Sequence, residues 1–184
     1  VPMNFAWGWK RTPVEAYRYI LPEALALVPF DPFEGEENVL PRVFVLGCQA
    51  AVCVQGSEKP LSAVPALAAR LKRLADLRRR TAAFTVEGRF LDTRGLALRA
   101  PAGVIGAVYA AKGGAGVIVG DCSPAGAAGG GTVRLTVDLA ALGVARPASL
   151  RLHRESGAAL PLGRRTGNRA TAALDLGKWE CAVI

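Results

Sequence analysis

Carboxylates and aromatic rings crowd the start of this 184-residue chain. Seven of its twelve Phe, Tyr and Trp residues (Phe5, Trp7, Trp9, Tyr17, Tyr19, Phe30 and Phe33) fall within the first 33 positions, beside Glu23, Asp31, Glu34, Glu36 and Glu37. That mixture suits a sugar. A flat aromatic face packs on the C–H face of a sugar ring, while carboxylates accept hydroxyl hydrogen bonds or move protons. Trp9, Arg18, Glu23, Asp31 and Glu34 are the residues expected to contact such a substrate. Taken one at a time, each ring also reads as core and each acid as part of a solvated loop. The combination carries the argument.

Other chemistries find less in the sequence. The single histidine, His153, stands among arginines in the alternating stretch SLRLHRE, so a serine or cysteine triad would have to take it as base. An exposed strand histidine is the simpler reading, and Ser149 and Ser156 read the same way at strand ends. Cys48, Cys53, Cys122 and Cys181 form no CxxC pair and lie far from His153, so a zinc site is not expected. They read as small buried hydrophobes. The stretch GGAGVIVG is spaced G-x-G-x-x-x-G and runs into another Gly/Pro turn, which fails the dinucleotide fingerprint. Neither a metal nor a cofactor is expected.

The net charge of +8 is unevenly spread. Residues 1–60 hold five Lys/Arg against seven Asp/Glu, whereas residues 61–184 hold eighteen against eight. A basic excess can attract polyanions. Here, however, the arginines are scattered through strand-like segments without the interleaved aromatics that stack bases, and no nucleic-acid partner is expected. The longest clean apolar run, VFVLGCQAAVCV, is twelve residues, too short for a bilayer-spanning helix. No membrane partner is expected either.

The elements that must position the early acids alternate in type. TPVEAYRYIL starts like a helix, with Thr12 as cap, Pro13 at the first position and Glu15 completing a capping box. ALALVPF reads as a buried strand, and the acidic loop DPFEGEEN follows its C-terminal end. Asn38 is placed to cap a second helix, and AAVCVQ reads as a further buried strand. From Ser62 the period is helical for some twenty residues: Val64, Leu67, Ala68, Leu71, Leu74 and Ala75 form one apolar stripe. Arg70, Lys72, Arg73, Asp76 and Arg80 are expected on the wet face. Arg78 falls within the stripe, where it is expected to snorkel at the helix end rather than to be buried against a carboxylate.

Beyond Ala82 the period changes to two. TVRLTVDL puts Val133, Leu135, Val137 and Leu139 on one face, SLRLHRE alternates Leu150 and Leu152 with Arg151 and His153, and TAALDL and WECAVI close the chain. Short strands between Gly/Pro turns predict an antiparallel β-sandwich, with GDCSPAGAAGGG as a flexible connection. The βα alternation before it predicts a parallel sheet or barrel. A full barrel needs about 250 residues, so 82 supply only its last two or three units. With Val-Pro at the start and Met3 the sole methionine, the remaining units are expected upstream.

This organisation resembles the C-terminal end of bacterial glycoside hydrolases built as a (β/α)8 barrel followed by a β-sandwich. The specific part of the resemblance is PLSAVPALAARLKRLADLRRR running into AAFTVEGRFLDTRGL and, more loosely, YRYILPEALALVPFDPFEGEEN. It implies α/β architecture in residues 1–82, the last βα units of a TIM-type barrel, and an all-β sandwich in residues 83–184, beginning with Phe84, Val86 and Phe90. It also implies a carbohydrate substrate, the N-terminal barrel portion of the same protein as structural partner, and catalytic carboxylates on upstream strands. A non-catalytic carbohydrate- or protein-binding module is the alternative.

Overall fold

The computed structural model describes residues 3–4, 26–30, 38–52, 60–144, 150–157, 160–161 and 164–184. The first elements are strands β1 (Met3–Asn4) and β2 (Ala26–Phe30), helix α1 (Val39–Val45) and strand β3 (Gln49–Val52). The three strands pair in parallel in the order β1-β2-β3, with Leu27 opposite Gln49 and Phe30 opposite Val52. Parallel neighbours need a crossover. Between β2 and β3 the crossover includes α1, whose Leu40, Val43, Phe44 and Val45 are buried. Both strands and the helix arise where the apolar runs predict them. Asn38 occupies the cap position but already has helical φ and ψ, and its side chain makes no capping bond. Among the described residues this is an open three-stranded sheet. The predicted helix start at Thr12 lies outside them.

Helix α2 (Pro65–Arg80) follows. It buries Leu67, Arg70, Leu74 and Leu77, a stripe rotated from the expected one: Ala75 is exposed, Leu71 partly so, and Arg70 is only 8% exposed. The reason is tertiary. The stripe packs into a core shared with α1 and with strands of the following domain, and Arg70 turns inward to donate a hydrogen bond to the carbonyl of Trp179. Arg78 does not simply snorkel. Its guanidinium lies over the Phe44 ring, 5.2 Å from the centroid, and donates to the Cys48 carbonyl at 2.6 Å, tying the helix end to the start of β3. Arg80 is exposed as expected, yet it donates to the carbonyls of Arg154 and Gly157.

The change of period comes later than the sequence suggests. Residues Ala82–Thr85 form a short helix, α3, rather than the first strand. The Thr81 hydroxyl donates to Leu77 O at 2.8 Å and that of Thr85 to Arg78 O at 3.0 Å, so the two threonines carry helical winding past the end of α2. Val86 is 63% exposed and starts nothing. Phe84 packs on Gly116, where an added Cβ would come within 2.7 Å of its ring.

Strands then follow: β4 (Arg89–Phe90), β5 (Leu96–Arg99), β6 (Val104–Ala111), β7 (Gly114–Asp121), β8 (Gly131–Asp138), β9 (Arg151–Arg154), β10 (Leu160–Pro161), β11 (Arg164–Thr166), β12 (Arg169–Leu176) and β13 (Cys181–Val183). They make a six-stranded sheet, β10-β9-β13-β7-β6-β4, and a four-stranded one, β11-β12-β8-β5, with every pairing antiparallel. Between the sheets Val133, Leu135 and Val137 of β8 and Ala170, Ala172, Leu174 and Leu176 of β12 meet Val108, Val117, Val119 and Ala182. The predicted alternation therefore holds on the four-stranded sheet.

The six-stranded sheet is covered on its other face as well along β4, β6, β7 and β13. There Phe90, Ala107, Tyr109, Ile118, Cys181 and Val183 pack against α1 and α2. Tyr109 is fully buried, edge-on to Phe90 at 5.4 Å, and donates to Val45 O at 2.8 Å. Gly47, at φ +66, lies where any Cβ would strike the Tyr109 hydroxyl at 2.8 Å. Among the described residues no helix is long and apolar enough to cross a membrane.

Truncating Leu74 or Leu77 to alanine should cost about 2–5 kcal/mol, because each leaves a cavity in the shared core. Arg79→Gln, at an exposed arginine paired, among the described residues, only with Asp76 one turn away, should stay within about 0.5 kcal/mol. Urea unfolding of the whole chain distinguishes the two.

Candidate functional site

The expected substrate contacts Trp9, Arg18, Glu23, Asp31 and Glu34 all lie outside the described residues. What the structure does place is the strand end that Asp31 and Glu34 follow in the sequence. Strand β2 ends at Phe30, one residue before Asp31, and Phe30 is the register partner of Val52, the end of β3. The segments after Phe30 and after Val52 thus leave from one edge of the parallel sheet, its C-terminal edge. That edge is where α/β folds carry their sites, since loops leaving parallel strands converge there.

At the seam between α2 and the sandwich lies a polar cluster that sequence reasoning missed. Asp121, the last residue of β7, is wholly buried. Its carboxylate accepts from Ser123 N at 3.2 Å, the Ser123 hydroxyl, Gly130 N at 3.0 Å and Trp179 N at 2.8 Å. Burial by itself would raise its pKa. The donors from Ser123, Trp179 and Gly130 outweigh that and hold it below the ordinary value.

Trp179 sits in the turn Gly177–Glu180 with φ +58, a left-handed conformation that costs a bulky residue about 1–2 kcal/mol. Its polar groups are fastened on three sides. The backbone N–H goes to Asp121, the indole N–H to Ser123 O at 2.8 Å, and the carbonyl accepts from Arg70. Lys178 spans the turn to the carbonyls of Ala125 and Ala127, with its ammonium 4.9 Å from the centre of the indole. The segment GDCSPAGAAGGG is therefore tied down at both ends, whereas the sequence suggests a flexible connection.

Two further carboxylates complete the cluster. Glu180 forms a forked pair with Arg154, at 2.7 and 2.6 Å, and accepts from Gly177 N at 2.9 Å. Burial would raise its pKa, but Arg154 and the Gly177 N–H lower it overall. Glu155 accepts from Cys181 N at 2.8 Å and is pushed up by burial, which the Cys181 N–H and the charge of Arg70 only partly offset. These carboxylates hold backbone and arginine donors. They make a clamp rather than a free acid/base pair.

The other candidate groups are quiet. Burial pushes the Cys122 thiol up to about 12 and that of Cys181 well above its ordinary value, so neither is a thiolate near neutrality. His153 is half-buried on β9, and burial followed by the charges of Arg80 and Arg151 lowers its pKa. Among the described residues no carboxylate hydrogen-bonds it, and no three His, Cys, Asp or Glu side chains gather to hold a metal.

No family model matches the chain, and no curated protein matches its sequence. Its fold is similar to the crystal structure of a noncanonic maltogenic alpha-amylase from Thermotoga neapolitana. The superposition has a TM-score of 0.50 at 9% identity and covers 91% of this chain and 44% of the amylase chain. This chain thus spans less than half the length of that enzyme. At such low identity the likeness is one of fold.

Asp121→Asn should remove at least about 1–3 kcal/mol, because an amide nitrogen would face backbone N–H groups that need an acceptor. With their pKa values lowered in the folded state, Asp121 and Glu180 stabilise the protein fully above the ordinary carboxylate range near pH 4, and that contribution is lost as pH falls through their folded values. Glu155, raised, acts in the opposite sense: its contribution is full below its ordinary value and is lost as pH rises through the folded one. Urea unfolding as a function of pH should show a steep acid loss of stability in the parent chain and a shallower one in Asp121→Asn.

Proposed function

We propose that this chain is the C-terminal part of a carbohydrate-active enzyme of the glycoside hydrolase type, in which parallel βα units border the sugar and the sandwich holds those units in place. The observation that carries this reading is architectural. A parallel βαβ unit passes through α2 into an antiparallel sandwich and shares one core with it, and this arrangement is similar to an amylase over 91% of the chain. In this reading Asp31 and Glu34, following β2, and Trp9, Arg18 and Glu23 contact the substrate. The nucleophile and general acid belong to strands upstream.

The amylase likeness makes α-glucans the first sugars to try. A sugar-stacking platform on the sandwich finds no support among its aromatics. After Phe90 only Tyr109 and Trp179 remain; the first is wholly buried and the second is half-buried, with both its N–H groups engaged. Sugar contact is therefore assigned to the parallel-sheet edge.

Calorimetry of the 184-residue chain with malto-oligosaccharides should show binding, and assays on aryl glycosides should show no turnover. Trp9→Ala and Asp31→Asn should each weaken binding about tenfold, equivalent to roughly 1.4 kcal/mol. Turnover that disappears in Glu34→Gln would move the catalytic carboxylate into this chain, and a failure to bind any saccharide would defeat the reading.

A further inference from the structure

The outer face of the four-stranded sheet carries a feature that neither the core nor the proposed sugar edge uses. Strands β5, β8 and β12 turn Ala97, Arg99, Arg134, Thr136, Arg169 and Thr171 outward around a shallow concavity of about 820 Å³. That volume is within the range of ligand sites, roughly 300–1,000 Å³. Its floor stays low because alanines and Gly95 alternate with the longer side chains.

Arg99 and Arg134 are direct register partners on neighbouring strands. Their Cα atoms are therefore about 4.5–5.5 Å apart, and like charges placed opposite each other are destabilising. Among the described residues neither has a carboxylate or hydrogen-bond partner. The nearby acids are otherwise engaged: Asp138 accepts from the N–H groups of Ala140 and Ala141, at 3.0 and 3.1 Å, and Asp175 from the Thr132 hydroxyl at 2.6 Å. An anion between the two arginines would relieve the repulsion, and a carboxylate fits the planar guanidinium fork.

A third arginine sets the length of the ligand. The β12 partner of Arg134 is Ala173, and Arg169 lies four residues further along the same strand, about 14 Å away at roughly 3.4 Å per residue. Charge repeated over that distance suits an extended chain better than a small ion. The rest of the face selects its chemistry. The Thr136 hydroxyl lies among the arginines, so the surface adds a neutral donor and acceptor to its charges. Duplex nucleic acid carries a phosphate charge about every 1.7 Å, far denser than arginines about 14 Å apart can match, and a single strand would find no aromatic ring among the lining residues to stack a base.

We propose that this face binds an acidic polysaccharide, a chain bearing carboxylates on some sugars and hydroxyls on all of them, with Arg99 and Arg134 gripping one carboxylate and Arg169 a later one. The choice of a saccharide rests on the carbohydrate-active reading above. The charge geometry does not.

The test uses the intact chain and polygalacturonate as probe, in affinity electrophoresis near 0.1 M salt, where the Debye length is about 10 Å. Amylose and duplex DNA run in parallel. Polygalacturonate should retard the protein, and Arg99→Gln or Arg134→Gln should weaken retention at least tenfold. Arg79→Gln should leave it unchanged. Both sheet variants should keep or raise the melting temperature, since each removes one member of a like-charge pair, so weaker retention is not misfolding. Equal retention of the parent and both variants, or no retention at all, overturns the proposal. Tighter binding to DNA than to polygalacturonate reassigns the face to nucleic acid and also overturns it. Malto-oligosaccharide binding weakened by Asp31→Asn but not by Arg99→Gln keeps the two sites apart, so either can fail alone.

Discussion

The central strands of the six-stranded sheet, β6, β7 and β13, are buried on both faces, and the rest of the structure follows from that constraint. A strand alternates its side chains, so a sheet packed on a second sheet ordinarily leaves its outer face to water. Here the outer face of β6, β7 and β13 carries Tyr109, Ile118, Cys181 and Val183, and these residues need a cover. Helices α1 and α2 provide it. The parallel unit and the sandwich are consequently joined by one apolar core that includes Val28, Phe44, Leu77 and Tyr109. Close approach of α1 is possible because Gly47 and Gly120 present no Cβ to Tyr109 and Val45 respectively. At about 25 cal/mol per Å² of apolar surface removed from water, such a seam is a stronger bond than exposed ion pairs between domains.

A seam of this kind also has to bury polar backbone where helix, loop and strand ends meet, and the Asp121 cluster answers that need. A buried carboxylate is costly unless every oxygen is occupied. Asp121 faces four donors, three of them backbone N–H groups in segments that otherwise lack regular structure. It orders the glycine-rich connection between the sheets and the turn bearing Trp179, and glycine is the residue whose ordering is entropically most demanding. Arg70 carries the network across to α2. An arginine that helical periodicity places on the wet face thereby becomes a link between the two parts of the fold.

Charge divides the sequence, with residues 1–60 net acidic and the rest basic. Asp31 and Glu34 follow the C-terminal end of β2 in the sequence, and the arginine-bearing concavity lies on the outer face of the four-stranded sheet, beyond the second core. The neutral sugar proposed for the first part and the acidic chain proposed for the second call for different side chains. Aromatic faces and acids serve one, paired guanidinium groups the other.

Local sequence was enough for whatever local periodicity controls. The strand at Ala26–Phe30, the helix that begins after Asn38, the long helix ending in three arginines and the inward set Val133, Leu135, Val137 and Leu139 were all legible, because hydrophobic spacing sets element type and the buried face of a one-sided strand. The parallel sheet and the sandwich were legible as classes for the same reason. Contacts across the seam were not. Nothing within a few residues of Arg70 announces that a carbonyl more than a hundred positions away will draw it inward, and nothing near Asp121 states that Trp179 will donate to it. The strand-like stretch after Arg80 winds into helix because two threonine hydroxyls find carbonyls behind them and Phe84 finds Gly116 to lie on. Local sequence determines which residues are able to be buried. Which of them are buried, and against what, is decided by the one arrangement that covers both faces of the central sheet and still leaves each buried donor and acceptor a partner.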